Sequence, residues 1–219
     1  MLTKFNIFGI IKLGEFNMIT LGGKPCSGKS TIAKNLEKEY DFERISIGDW
    51  FREIAAQKHM TVNELNDYLT KTKDPEIDYM LDRRVVELHR RRVDEDVVIE
   101  SRTAAFFAPK AYNVYTDITK REQIKRLVNS ERTGEDIQAE TALENLMKRE
   151  NDESERYVVL YNFDNRVLTN YDLVVDTSNI TPKQGAEEVM QGYDAYRKAK
   201  KEKQSLEEEI DFEALFRKK

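Results

Sequence analysis

The stretch Gly23-Lys24-Pro25-Cys26-Ser27-Gly28-Lys29-Ser30 decides the fold of this 219-residue chain. It matches G-x-x-x-x-G-K-[ST], the pattern of a phosphate-binding loop, at every fixed position. The apolar run 18–21 precedes the loop and predicts a buried strand, and the segment 31–36 that follows it begins a predicted helix. In a strand–loop–helix unit of this kind, the backbone N–H groups of the loop converge on a phosphate at the helix N-terminus.

The pattern also assigns tasks to side chains of the loop. Lys29 would neutralise the β- and γ-phosphates of a nucleoside triphosphate, and the Ser30 hydroxyl would bind Mg²⁺. Cys26 is the chain's one cysteine, and we interpret it as a small residue at a variable position rather than as a redox group. We expect the nucleotide to bind along the whole loop, at Gly23, Lys24, Pro25, Cys26, Ser27, Gly28, Lys29, Ser30 and Thr31.

Composition limits the classes of function. The chain has 36 basic and 41 acidic residues and a net charge of −5, so global charge gives no support for nucleic-acid binding. A single cysteine suits a reducing cytoplasm, and no apolar stretch is long enough to span a membrane. We therefore expect a cytoplasmic protein that binds neither nucleic acid nor membrane. A monomer is the expected state, with an oligomer as the alternative.

Strands and helices alternate along the chain. Apolar segments at 18–21, 43–47, 97–100, 112–118 and 171–176 predict five strands, and amphipathic segments separate them. This alternation predicts an α/β fold in which helices cover both faces of a five-stranded parallel sheet. Ligands of such sheets bind outside the carboxyl ends of the strands.

We expect one domain, 18–195, between two segments of different character. Residues 1–17 form an N-terminal extension, and a start of translation at Met18 is an alternative hypothesis. Residues 196–219 form a charge-dense C-terminal tail.

Arginines mark a second anion site. Arg52 and Arg102 follow the second and third strands, while Arg149 and Arg156 share one face of a polar helical segment with Glu153. Guanidinium groups bind phosphate oxygens in pairs and keep their charge. Ordinary solvated surface charge is the alternative interpretation for any one of them.

The ordered motifs of the chain resemble those of one family. They are the phosphate loop, 46–52, 74–78, 82–84, 97–102, 149–157 and 171–178, and together they extend over most of 18–192. This combination is similar to the archaeal-type cytidylate kinases, a branch of the nucleoside monophosphate kinases.

The resemblance implies a P-loop kinase fold with helical lid and nucleoside-monophosphate-binding segments, 132–161 and 48–95 respectively. It implies transfer of a phosphoryl group from ATP, with Mg²⁺, to CMP or dCMP. The implied catalytic residues are Lys29, Arg132, Arg149 and Arg156. The implied substrate-binding residues are Ser46, Gly48, Asp49, Arg52, Arg83, Arg102 and Glu153.

Two departures from the family pattern leave alternatives open. Ser101 stands where a glycine is usual before the Arg102 position, which bears on substrate preference, and Lys24 and Cys26 are unusual in the loop. The acceptor would otherwise be UMP, AMP or a non-nucleotide metabolite, and Asp49 would then be the base that an alcohol acceptor needs. A nucleotide-binding switch or regulator is an alternative of a different class.

Overall fold

The computed structural model describes residues 17–91, 96–129 and 139–216. Strands and helices alternate as the sequence pattern predicts. The strands are β1 Met18–Gly23, β2 Glu43–Ser46, β3 Val97–Glu100, β4 Tyr112–Asp117 and β5 Leu173–Asp176. The helices are α1 Lys29–Tyr40, α2 Ile47–Gln57, α3 Val62–Thr72, α4 Glu76–Arg91, α5 Ala104–Phe107, α6 Lys120–Val128, α7 Ala139–Tyr161 and α8 Pro182–Phe216.

The five strands form one sheet in the order β2-β3-β1-β4-β5, and every neighbouring pair is parallel. The strand before the phosphate loop, β1, therefore lies at the centre, and all six of its residues are buried. Apolar, β-branched strands of this kind are typical of parallel sheets that are covered on both faces. The α/β prediction of a five-stranded parallel sheet is confirmed.

Two apolar clusters hold helices to the two faces of the sheet. On one face, Ile32 and Leu36 of α1 pack with Val189 and Tyr193 of α8. On the other face, Leu81 and Val85 of α4 pack with sheet residues of the second cluster. Both layers fix the carboxyl edge of the sheet, where β1, β2 and β3 end.

Several local details differ from the predicted pattern. Strand β1 extends to Gly23, β4 ends at Asp117 and β5 begins at Leu173, each one or two residues from its predicted bound. Strand β2 ends at Ser46 rather than at residue 47, because the Ser46 hydroxyl accepts a hydrogen bond from the Asp49 amide and caps α2. The four-residue helix α5 has no counterpart in the sequence pattern. Helix α8 continues to Phe216, so the backbone of the charge-dense tail is helical up to that residue.

The sequence Thr61-Val62-Asn63-Glu64 matches the capping-box pattern, which predicts Thr61 as the N-cap of a helix. The capping box at the start of α3 is complete, since the Thr61 hydroxyl accepts from the Glu64 amide and the Glu64 carboxylate accepts from the Thr61 amide. The N-terminal extension, apart from Asn17, lies outside the described residues. No helix within the described part of the chain is long and apolar enough to cross a membrane.

Candidate active site

The phosphate loop depends on backbone conformations that favour glycine at two positions. Gly23 has φ +125°, and a Cβ there would lie 2.2 Å from the Thr116 carbonyl oxygen of β4. Gly28 has φ +86° and is the N-cap of α1. Cys26 is a third position in the left-handed region, with φ 58°, where a residue other than glycine is uncommon. The loop thus bends tightly between β1 and the N-terminus of α1.

The Lys29 ammonium folds back onto this loop. Its Nζ donates to the Gly23 carbonyl at 2.9 Å and to the Lys24 carbonyl at 2.6 Å. Burial, together with the positive charge of Arg102, lowers the pKa of Lys29 to about 7. An anion beside Nζ would reverse this effect, since an opposite charge favours the ammonium form.

Ser30 and Glu100 bring two oxygen donors together next to the loop. The Ser30 hydroxyl donates to Glu100 Oε2 at 2.6 Å, and Glu100 is buried at the carboxyl end of β3. Hydroxyl and carboxylate oxygens are ligands that Mg²⁺ accepts, usually alongside water and substrate phosphates. No three His, Cys, Asp or Glu side chains among the described residues cluster closely enough to hold a metal alone.

A cleft of about 1010 Å³ extends from the loop along the carboxyl edge of the sheet. It brings together most of the predicted site residues: Pro25, Cys26, Ser27, Gly28, Lys29, Ser30, Thr31, Ser46, Gly48, Arg52, Arg102, Arg149, Glu153 and Arg156.

Four other predicted residues stand outside the cleft lining. The Gly23 carbonyl holds Lys29, and Lys24 forms an ion pair with Asp117 at 2.6 Å. Asp49 reaches the cleft through its partner Arg52, whereas Arg83 is exposed on α4 and the structure does not bring it to the cleft. Arg132 lies outside the described residues.

Asp49 lies between two arginines. It forms ion pairs with Arg52 and, at 3.3 Å, with Arg44. Although partial burial opposes the effect, the hydrogen bond and charge of Arg52 lower the pKa of Asp49 below its ordinary value. A carboxylate with a lowered pKa is a weak proton acceptor. The arrangement therefore suits an electrostatic anchor better than a general base.

Glu153 of α7 joins two of the predicted arginines. Its Oε2 lies 2.7 Å from Arg102 Nε, and its Oε1 lies 3.6 Å from Arg149 Nε. Arg102 Nη1 is buried and has no hydrogen-bond partner within the described structure. This guanidinium therefore has a donor that its partner Glu153 does not satisfy.

Arg156 has different partners, on the two helices that follow α2. Its Nε donates to Asp78 Oδ2 of α4 at 2.7 Å, and its Nη1 donates to Asn66 Oδ1 of α3 at 3.2 Å. One turn further along α4, burial raises the pKa of Asp82 to about 6, even though Thr103 and Tyr161 donate to it. The second half of α7 is therefore tied to α3 and α4.

The family model for the cytidylate kinase-like family matches residues 18–179, which is more than half of the chain. The chain belongs to this family. Cytidylate kinases from three archaea are similar to it, and each similarity extends over most of both chains. The one from Halobacterium salinarum is 35% identical over 82% of this chain and 91% of its own length. The one from Methanocaldococcus jannaschii is 37% identical over 74% and 88%, and the one from Ignicoccus hospitalis is 39% identical over 75% and 92%.

Solved structures agree on the fold of this cytidylate kinase-like protein. An uncharacterized protein from Eubacterium ventriosum matches with a TM-score of 0.58 and 19% identity, covering 81% of this chain and 98% of that one. A shikimate kinase from Bacteroides thetaiotaomicron matches with a TM-score of 0.52 and 17% identity, covering 80% and 94%. The predicted P-loop kinase fold and the predicted family are both confirmed.

Arg126, one of the arginines that follow the fourth strand, also lines the cleft of this cytidylate kinase-like chain, although it is not among the predicted site residues. Its Nη1 donates to Thr177 Oγ1 at 3.2 Å and to the Cys26 carbonyl at 3.5 Å. It lies at the end of α6, one helix turn after Glu122, with which it forms an ion pair. In the sequence, the Glu122–Arg126 pair is typical of ordinary surface charge. The contacts of Arg126 with Cys26 and Thr177 could not be predicted, because they span 100 and 51 residues.

Proposed function

We propose that this protein transfers the γ-phosphoryl group of ATP to CMP or dCMP, producing ADP and CDP or dCDP. One observation carries the proposal: the phosphate loop and the paired Arg102–Glu153–Arg149 group line the same cleft. A donor phosphate chain and an acceptor phosphate would meet between them. The names of the archaeal relatives support cytidylate as the acceptor.

The donor half would hold ATP and Mg²⁺. The loop amides and Lys29 would bind the phosphates, while the Ser30 hydroxyl and the Glu100 carboxylate supply oxygen donors that fit Mg²⁺. When bound, the ion neutralises charge on the β- and γ-phosphates. Lys29 would exchange its two carbonyl contacts for phosphate oxygens and become fully protonated.

In the transfer itself, an oxygen of the acceptor phosphate forms a bond to the γ-phosphorus. The bond from that phosphorus to the bridging oxygen breaks, and the electron pair leaves with ADP. The acceptor phosphate has a second pKa of about 6 and is mostly ionised at neutral pH, so no base has to remove a proton. The lowered pKa of Asp49 agrees with a reaction that needs no general base.

The segment 132–161, with α7 as its described part, is proposed to be the lid, and 48–95 the acceptor-binding helices. Arg149, and Arg132 by extension of the same segment, would contact the transferring group. Exclusion of water by such a segment limits hydrolysis of the donor. We also propose that the protein acts as a cytoplasmic monomer on this small-molecule substrate.

An ADP-release assay with a panel of acceptors tests the proposal. We expect turnover with CMP or dCMP at least about 10-fold more efficient than with UMP, AMP or a sugar alcohol, since a binding site rejects analogues that leave its polar groups unpaired. ADP release that needs no acceptor would overturn the kinase proposal and favour the switch or regulator. Preference for another acceptor would overturn cytidylate as the substrate.

The variant Asp49→Asn separates a phosphate acceptor from an alcohol acceptor. Loss of a general base lowers turnover by about 10²–10⁴-fold. If the acceptor is a phosphate, we expect CMP turnover at saturation to stay within about 10-fold of the original, because no proton transfer is required. A loss of 10²-fold or more at saturating CMP would contradict this mechanism.

A further inference from the structure

Arg44 is a mostly buried basic residue in the middle of β2. In the parallel register, Arg44 is opposite Val98 and Ser46 is opposite Glu100. Side chains two residues apart on a strand share a face, so Arg44 and Glu100 lie on the same side of the sheet. Val98 packs with α1 residues on this side. The Arg44 side chain is 17% exposed and extends along this face toward the carboxyl edge.

The Arg44 guanidinium contacts two carboxylates at once. Its Nε donates to Glu100 Oε1 at 2.5 Å, and its Nη2 donates to Asp49 Oδ2 at 3.3 Å. Each carboxylate has a second partner in the site. Glu100 accepts from Ser30 at 2.6 Å, and Asp49 pairs with Arg52.

These contacts form one continuous chain from the donor half of the cleft to the acceptor half. It runs from Ser30 to Glu100, Arg44, Asp49 and Arg52. The two ends are groups that would touch ligand, since Ser30 and Arg52 line the cleft, and Arg44 does not. Arg44 thus acts on substrates only through its two partners.

We propose that Arg44 is a positioning residue that couples the donor site to the acceptor site. When Mg²⁺ and the donor nucleotide draw on the Glu100 carboxylate, its contact with Arg44 weakens. The guanidinium then pairs more strongly with Asp49. Asp49 then holds Arg52 less tightly, and Arg52 becomes more available to an acceptor phosphate. Occupation of the donor site therefore raises affinity at the acceptor site. This inference rests on the proposed function.

The fork of the guanidinium is essential to this role. Arginine presents five N–H donors in a rigid plane and can bridge two carboxylates, whereas lysine is a compact point charge. Lysine at position 44 would keep a positive charge beside the buried Glu100 without holding both carboxylates in one geometry. The variant Arg44→Lys therefore separates charge from bridging.

Binding calorimetry measures the coupling without turnover. CMP is titrated into the protein alone and into the protein saturated with Mg²⁺ and a β,γ-imido analogue of ATP. The ratio of the two dissociation constants is the coupling factor, for which we expect at least about 5 in the original protein, the lower end of ordinary linkage between sites. The factor should fall to about 1 in Arg44→Met and to less than about half of the original value in Arg44→Lys.

Two comparisons make the outcome decisive. Arg90→Met removes an exposed arginine near the end of α4, outside the cleft lining, and should leave the factor unchanged. A purely structural role would weaken CMP binding equally with and without the nucleotide, so the ratio would stay as it was. If Arg44→Met does not fold, as thermal unfolding will show, Arg44→Lys alone decides.

A coupling factor in Arg44→Lys within about 1.5-fold of the original would overturn the inference, as would a factor of about 1 in the original protein. Failure of the original protein to bind CMP at all would overturn the proposed function, and the inference with it. A normal factor in the variants beside normal CMP binding would overturn the inference alone.

Discussion

Raising the pH from 7 to 9 should weaken nucleotide binding, because Lys29 loses its proton in the free protein. Burial and Arg102 lower the pKa of Lys29 to about 7. If only the ammonium form binds phosphate, the competent fraction falls from about one half at pH 7 to roughly one hundredth at pH 9, and the apparent dissociation constant rises by about 50-fold.

Calorimetry with ADP checks this prediction directly. At pH 7.5 the deprotonated fraction of Lys29 is about three quarters, so binding should take up about 0.7–0.8 proton, visible as a dependence of the measured heat on buffer ionisation enthalpy. Lys29→Arg is the matched control, since arginine stays protonated and its binding should vary little with pH. Equal pH dependence in the two proteins, with no proton uptake, would refute the reasoning.

The same shift has a consequence for stability. The folded protein binds fewer protons at Lys29 than the unfolded chain between pH 7 and 10.5, so the free energy of unfolding rises with pH over this range. From pH 7 to 9 this contribution is about 2 kcal/mol. Urea unfolding of the original protein and of Lys29→Met should therefore diverge with pH, and parallel curves would contradict the lowered pKa.

Three substitutions test other parts of the site. Gly23→Ala places a methyl group against the Thr116 carbonyl and should destabilise the fold by about 1–3 kcal/mol, which a thermal melt measures, with ADP affinity also reduced. Asp78→Asn leaves the Arg156 guanidinium with a neutral partner and should lower the free energy of unfolding in urea by up to about 3–5 kcal/mol. Arg102→Lys keeps the charge but loses paired hydrogen bonding, so the KM for CMP should rise about 10-fold or more while ADP affinity stays near its original value. The argument for Gly23 is contradicted if Gly23→Ala melts at the original temperature. The argument for Asp78 is contradicted if the urea midpoint of Asp78→Asn is unchanged. The argument for Arg102 is contradicted if the KM of Arg102→Lys for CMP is unchanged.

Local sequence signals predicted the framework well. The phosphate loop and the capping box at Thr61 depend on residues within a few positions of one another, and the structure has both. The five strands follow from short apolar runs, and their ends are displaced by one or two residues, in β2 because Ser46 caps the following helix. Such features can be predicted from the sequence because their hydrogen bonds form between residues that are close together in the chain.

Partners across the fold could not be predicted in this way. The Arg44–Glu100 contact spans 56 residues, and the Arg156–Asp78 contact spans 78. Helix phase matters equally, because neighbouring positions on a helix point in different directions. Asp82 is buried and lines the cleft, whereas Arg83, which the family resemblance implied, is exposed.

Arg149 and Arg156, two of the residues that the family resemblance implies to be catalytic, are suited to different tasks. Arg156 is 9% exposed and paired with Asp78, which is 5% exposed. Separating such a pair would leave a buried charge without its partner, at a cost of several kcal/mol. Arg149 is 25% exposed, and its Nε lies 3.6 Å from Glu153, a longer and more exposed contact than the Arg156–Asp78 pair. Arg156 is therefore suited to holding α7 against the acceptor helices, and Arg149 to meeting the transferring phosphoryl group. Arg149→Met should accordingly lower kcat with little effect on unfolding, whereas Arg156→Met should lower stability first. A kcat loss in Arg156→Met without loss of stability would reverse this assignment.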